Sequence, residues 1–248
     1  MSGHSKWSTI KRKKGALDAK RSKMFSRIVK EITVAVKEGG NDPEANPRLR
    51  LAVANAKGVN MPKDNIERAI KKAGDKDSGN YLELTYEGYA PHGIAIYVDC
   101  TTDNQQRTVS NVRSYFNKMD GSLAKNGSLG FLFDRKGVFR FAQNDWDQEE
   151  LEMELIDGGA EDIEQDEDYF IVTTSMDDFG NMLKKLDELE IEPESSNLER
   201  IPHTRKELPV EQAKTVMKLI DLLDEDDDVQ NVYHNLEITD ELISQIEE

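Results

Sequence analysis

The first thirty residues contain the densest group of side chains that could bind a ligand. Ten lysines and arginines occur there with one carboxylate, Asp18. Such a density of positive charge repels itself unless a polyanion lies nearby, and these side chains commonly contact phosphates. We therefore predict that they bind a nucleic-acid backbone. The ten cations are Lys6, Lys11, Arg12, Lys13, Lys14, Lys20, Arg21, Lys23, Arg27 and Lys30.

Trp7 lies among these cations and is counted with them as a nucleic-acid-binding residue. Its ring could stack on a base, or it could anchor the basic segment to neighbouring helices, since a large apolar ring is usually buried. Contacts with phosphates position a protein without reading base sequence. The chain has no zinc-finger, basic-zipper or single-strand-binding aromatic pattern. The sequence therefore predicts no base-specific recognition.

A second candidate is the junction at Asn104 and Arg107. A helix is predicted to begin at Asp103, with Gln106 as its capping-box partner, and the N-terminal end of a helix attracts anions. Asn104 and Arg107 could thus contact an anionic ligand. The alternative is that Asp103 neutralises Arg107 within the cap, and the sequence favours this alternative.

Nothing in the sequence indicates catalysis, a metal or a cofactor. Cys100 is the only cysteine, and the four histidines are far apart and lack metal-ligand spacing. The acidic run 224–228 lacks the pattern of a calcium-binding loop, and a solvated turn is predicted there. No nucleophile elbow or phosphate-binding glycine loop is present. We predict a protein that is not an enzyme and has no metal site.

The net charge of -16 hides a strong segregation of charge along the chain. Residues 1–78 contain 19 lysines and arginines and 9 carboxylates. Residues 142–248 contain only 7 lysines and arginines but 34 carboxylates. The acidic part should be repelled from phosphates and remain available for a protein partner. No apolar run approaches the length of a membrane helix, and no secretory signal is evident. We expect a cytoplasmic protein that does not bind membranes.

Three amphipathic helices are predicted in the basic part. The first runs from a cap at Asp18 to about Glu38, the second begins at Asn46-Pro47, and the third at Met61-Pro62. None can bury its apolar stripe alone, so the three should pack together. Thereafter strands and helices alternate, with a predicted hairpin turn at Arg135-Lys136-Gly137.

The order of elements between residues 138 and 202 is β-α-β-β-α-β, which is typical of a ferredoxin-like, split βαβ unit. The helix and strand that follow it could complete the sheet that precedes it. We therefore predict an α+β fold with three domains, one inserted in another. The predicted boundaries are 1–78 for the basic helical domain, 79–134 with 206–248 for a discontinuous α+β domain, and 135–205 for the inserted acidic α+β domain.

Several segments resemble the YebC/PmpR family. They are Met1–Trp7, Lys20-Arg21 with Phe25, Gly39–Pro43, Asn46–Arg50, Asn60–Ile70, Tyr86–Pro91, and Thr102–Asn104 with Arg107. The resemblance covers essentially the whole chain. It departs at Asp120-Gly121, where the family usually has two glycines, and this puts any ligand contact of that loop in doubt.

The resemblance implies an all-helical first domain, two α+β domains and the family label "probable transcriptional regulatory protein" with DNA binding. The same family also contains mitochondrial members that resemble translational activators and bacterial members that are linked to ribosomes. The family label nevertheless names a transcriptional regulator. The leading expectation is therefore a DNA-binding transcriptional regulator. The alternatives are a ribosome-associated, RNA-binding translation factor and a protein-interaction adaptor without catalysis.

Overall fold

The computed structural model of the chain describes residues 17–75, 79–144, 146–166 and 168–247. Within these ranges the protein is α+β, as predicted, with eight α-helices and two four-stranded sheets. The chain divides into two compact units. Of the described residues, one unit comprises 25–75 with 135–200, and the other comprises 79–134 and 201–247 with 17–24.

The three predicted helices of the basic part are present as α1 (Leu17–Gly39), α2 (Pro47–Gly58) and α3 (Lys63–Gly74). Their apolar stripes pack into one core around Ile32, Leu49 and Ile66. Asn46 joins two of the helices, because it accepts a hydrogen bond from the N–H of Leu49 and donates to the backbone oxygen of Ala35 at 2.7 Å. The predicted cap at Asp18 is wrong, since that residue already lies inside α1.

The first sheet has the strand order β3-β1-β2-β8. Its strands are β1 (Leu82–Ala90), β2 (Ile94–Thr102), β3 (Ser122–Leu123) and β8 (Val229–His234), and its helices are α4 (Gln105–Lys118), α7 (Val210–Glu225) and α8 (Asp240–Glu247). β8 pairs antiparallel with β2, with Tyr97 opposite Tyr233. Late elements therefore complete an early sheet, so the insertion is confirmed. The residue boundaries of the three domains stay a prediction.

The inserted sheet has the order β5-β6-β4-β7 and the predicted split βαβ connectivity. Its elements are β4 (Phe133–Ala142), α5 (Gln148–Asp157), β5 (Ala160–Asp166), β6 (Tyr169–Ser175), α6 (Phe179–Glu188) and β7 (Ser195–Pro202). Phe139, Phe170 and Leu155 lie in its core.

The predicted hairpin turn at Arg135-Lys136-Gly137 is wrong. These residues lie within β4, where Lys136 pairs with Ser175 and Gly137 with Thr174. A Cβ at Gly137 would lie 2.5 Å from Thr174 Oγ1 and 2.8 Å from the Phe179 ring. The glycine thus permits close packing inside a strand and does not mark a turn.

The Asp120-Gly121 loop keeps a backbone that suits its sequence. Asp120 has a φ of 56°, in the left-handed region that favours glycine but is open to aspartate. A Cβ at Gly121 would lie 2.7 Å from the backbone oxygen of Tyr89, so this position needs glycine. The departure from the family pattern therefore falls on the more tolerant of the two positions.

Candidate nucleic-acid interface

One face of α1 carries three of the predicted cations. Lys23, Arg27 and Lys30 follow one another at helical spacings of four and three residues, so they share a face. Lys20 is three residues, about one helical turn, before Lys23 in the sequence. The apolar stripe around Ile32 occupies the opposite face. We call the three residues Lys23, Arg27 and Lys30 the α1 cation face.

Not all of the predicted cations are brought together. Arg21 precedes Phe25 by one turn and therefore lies on the side of the apolar stripe, although it is exposed. The α1 cation face itself is half-buried. Lys6, Trp7, Lys11, Arg12, Lys13 and Lys14 lie outside the described residues, so their part in binding stays a prediction.

The carboxylates of α1 lie towards its ends, and Glu31, four residues after Arg27, borders the α1 cation face. The sequence from Lys20 to Lys30 contains no carboxylate. Further along, Arg48 of α2 pairs with Glu31 at 3.2 Å and with Glu38 at 2.7 Å. Such exposed pairs contribute little to stability, but they offset the negative charge of the second half of α1. α1 has six lysines and arginines and three carboxylates, so its net charge is positive.

Sequence reasoning missed further exposed cations at the ends of α2 and α3. Lys57 lies in the last turn of α2, and Lys71 and Lys72 lie in the last turn of α3. The C-terminal end of a helix attracts cations, so each lysine also has a structural role. The signal was present in the helix pattern, but these residues are spread along the chain and do not form a run.

Arg107 of α4 is engaged by carboxylates of its own unit. Its guanidinium lies 2.7 Å from Asp228 and 2.8 Å from Asp103. The predicted cap is also displaced by one residue, because the Asn104 side chain, and not Asp103, accepts the N–H of Arg107 at 3.0 Å. An anionic ligand at Asn104 and Arg107, which stays a prediction, would have to compete with both carboxylates.

The acidic run 224–228 is not the solvated turn that the sequence suggested. Asp226 and Asp228 are buried, with 8% and 4% exposure. Asp228 also accepts the Thr108 hydroxyl at 2.9 Å, and Asp226 accepts the Asn111 amide and the Tyr115 hydroxyl. Hydrogen-bonded partners offset the cost of burying these carboxylates. The two aspartates thus tie the loop before β8 to α4.

Tyr115 makes this contact sensitive to high pH. Burial and the hydrogen bond to Asp226 raise the pKa of Tyr115 from 10.0 to about 12. Because the folded state holds the phenol proton more tightly, the stabilisation is complete below pH 10 and is lost as the pH rises from 10 to 12. We expect the thermal midpoint to fall over this interval.

The Tyr115→Phe variant is the control for that titration. It should be less stable than the wild type at pH 7, by about 1 kcal/mol, because it lacks the hydrogen bond. Between pH 10 and 12 its thermal midpoint should fall less steeply than that of the wild type. Equal slopes in a thermal-melt series would contradict the assignment to Tyr115.

The described residues offer little for other kinds of site. Within them, no three histidine, cysteine or carboxylate side chains are grouped so that they could hold a metal ion. None of the described helices combines the length and apolar character that crossing a membrane requires.

The fold and the cation face together define a class: an α+β protein in which a basic three-helix part precedes two α+β parts, one inserted in the other. Two family descriptions match the chain. "TACO1/YebC protein N-terminal domain" matches residues 5–76, and "TACO1/YebC second and third domain" matches residues 81–236. The chain belongs to the TACO1/YebC family, as its motifs indicated.

Relatives resemble the chain over nearly its whole length. A protein of Amoebophilus asiaticus is 54% identical over 95% of this chain and 98% of its own. A protein of Geotalea uraniireducens is 50% identical over 97% of this chain and 98% of its own length. Both are named "Probable transcriptional regulatory protein". The crystal structure of a conserved hypothetical protein from Aquifex aeolicus has a TM-score of 0.82 and 41% identity, and the match covers 91% of this chain and 93% of that one.

Proposed function

We propose that this protein is a cytoplasmic, nucleic-acid-binding regulator that acts on DNA and is not an enzyme. The observation that carries the proposal is the segregation of charge, with 19 cations in the first 78 residues and 34 carboxylates in the last 107. The α1 cation face adds a set of aligned side chains to that count. The names of the relatives supply the regulatory role and favour DNA as the target.

The acidic part of the chain should lie away from the phosphates. Like charges repel, so docking through the basic helices leaves the carboxylate-rich surface outward. α5 offers a specific surface there, because Met153 and Ile156 are 66% and 62% exposed and stand one turn apart. The charged residues of α5 itself are all acidic, and Glu149 and Glu150 are exposed, whereas Asp157 pairs with Lys185 at 3.1 Å. This combination favours a positively charged protein partner, in line with an adaptor role for this part.

The salt dependence of binding tests the proposal directly. Affinity of the full chain for duplex DNA and for a structured ribosomal RNA fragment is measured between low and moderate salt. If six cations neutralise phosphates, the slope of log affinity against log salt for DNA should be about -5. Tighter binding to the RNA would favour the ribosome-associated alternative. Absence of binding to either nucleic acid at low salt would overturn the proposal.

Nuclease treatment of a cell extract separates the adaptor alternative. A nucleic-acid binder loses its co-purifying material after digestion, whereas an adaptor keeps a protein partner. The double variant Met153→Lys/Ile156→Lys shows whether a retained protein uses α5. A partner that survives digestion and is unaffected by this variant would mean that the α5 surface is not the site.

A further inference from the structure

The segment 124–132, between β3 and β4, presents an aromatic ring to solvent. We call this segment the Phe131 loop. The side chain of Phe131 is 72% exposed, the largest value among the large apolar side chains that the structure describes. An aromatic ring is normally buried to gain the free energy of the hydrophobic effect. The exposed Phe131 ring gains little of this free energy in the isolated chain and is open to contact with a ligand.

The loop is held in place by a buried carboxylate of β1. Glu87, with 5% exposure, accepts the N–H groups of Gly127 at 2.6 Å and Leu129 at 2.7 Å. Its backbone oxygen also accepts the N–H of Ala124 at 2.8 Å. Charge-assisted hydrogen bonds to backbone amides are short and strong, so this contact fixes the path of the loop.

A second anchor lies two residues before the ring. The side chain of Leu129 is fully buried in a cluster with Tyr97, Phe133 and Tyr233. The N–H of Leu132 returns to the backbone oxygen of Leu129 at 2.9 Å. Leu129 is anchored on one side of Phe131, and β4 begins at Phe133 on the other side. The backbone path between these two points therefore directs the Phe131 side chain into solvent.

The chemistry of the loop suits a nucleobase better than a protein surface. Between Ser122 and Phe133 the only charged residue is Lys125, which is exposed together with Asn126, and the next two residues, Asp134 and Arg135, are exposed and opposite in charge. Aromatic rings beside cations bind single-stranded nucleic acids, because every base offers a face for stacking. By contrast, the exposed apolar residues of α5 stand among carboxylates, which repel phosphates. The two exposed surfaces therefore differ in the partner that they can accept.

We propose that Phe131 is a stacking platform for an unpaired base of DNA or RNA, and that Lys125 of the same loop contacts a phosphate of that nucleic acid. This inference rests on the proposed function and deepens it. The cations of the basic helices bind phosphates of any nucleic acid, whereas Phe131 recognises a base that is not paired. The protein should therefore prefer a single-stranded or opened segment to a closed duplex.

The test compares the full-length Phe131→Ala variant with the wild type on a single-stranded oligonucleotide and on the duplex of the same sequence. Removing one stacking ring should weaken single-strand binding by between about 5-fold and 150-fold. Duplex affinity should change by less than about 2-fold, since duplex bases are already stacked. Phe131→Tyr should keep single-strand affinity because the ring is retained.

Leu82→Ala is the matched control, because Leu82 is also apolar and exposed in the same unit but has no aromatic ring. It should leave both affinities unchanged. Tryptophan fluorescence provides a second measurement. In the Phe131→Trp variant, stacking of a base should quench the fluorescence of the introduced tryptophan when the single strand is added. In the Leu82→Trp variant the single strand should cause no such quenching.

The outcomes distinguish this inference from the function on which it rests. If the wild type binds nucleic acid and Phe131→Ala binds the single strand equally well, the stacking role is overturned and the proposed function stands. An equal loss on single strand and duplex would also overturn it. If the wild type binds no nucleic acid at all, the proposed function fails and the stacking role fails with it.

Discussion

Replacing Lys11, Arg12, Lys13 and Lys14 by glutamate is expected to abolish nucleic-acid binding at moderate salt while leaving the thermal midpoint nearly unchanged. Each phosphate contact contributes about -0.9 to the slope of log affinity against log salt on duplex DNA. Losing four contacts should therefore reduce the steepness of the slope by about 3.6. At the same time four new carboxylates repel the phosphates, so affinity should fall by roughly three orders of magnitude or more.

A variant with the same change in net charge separates local contacts from the overall field. Reversing the exposed cations Arg113, Lys118, Lys184 and Lys218 to glutamate alters the chain by the same number of charges, far from the basic helices in sequence. It should weaken binding much less. If both variants bind equally poorly, the four N-terminal cations make no special contact. If the first variant unfolds, their side chains are structural.

The helices of the basic part were predictable because each is defined by local signals. The apolar stripe around Ile32 and Leu49 recurs at the helical period, and the second helix begins at a capping asparagine followed by proline. The split βαβ order was equally local. What the pattern could not supply was the role of Gly137, because its close neighbours Thr174 and Phe179 come from distant parts of the chain.

The contact between Arg107 and Asp228 shows the same limit at the second candidate site. The two residues are 121 positions apart. From sequence alone, Asp103 was the only carboxylate close enough to be considered, and the acidic run around Asp228 suggested solvation. Once β8 pairs with β2, the loop before β8 is brought against α4, and its aspartates become internal partners. The pairing of distant strands therefore determines the ion-pair partners of Arg107, which the local charge pattern could not predict.

The sequence predicted only part of the α1 cation face. The excess of positive charge is a property of composition, and the alignment of Lys23, Arg27 and Lys30 follows from the helical period. Arg21 carries the same charge but lies on the other side of α1, so counting charges overstated the face. Glu87 gave no signal, because its partners are backbone N–H groups of a loop 40 residues away.

Replacing Gly58 by alanine is expected to disrupt the contact between α2 and the start of β7. A Cβ there would lie 2.1 Å from the backbone oxygen of Glu194 and 2.7 Å from its carbonyl carbon, and backbone cannot move aside as a flexible side chain can. Beside it, the Asn55 amide donates to the Ser196 backbone oxygen at 3.1 Å and accepts the Ser196 N–H at 2.9 Å, so a shift of α2 also breaks these bonds. The cost should be at least about 3 kcal/mol, which lowers the thermal midpoint by roughly 6–12 °C.

Gly74, the last residue of α3, has nothing within 4 Å of the point that a Cβ would occupy, so Gly74→Ala should change the midpoint by less than about 2 °C. Similar midpoints for the two variants would mean that α2 and β7 do not pack closely in solution.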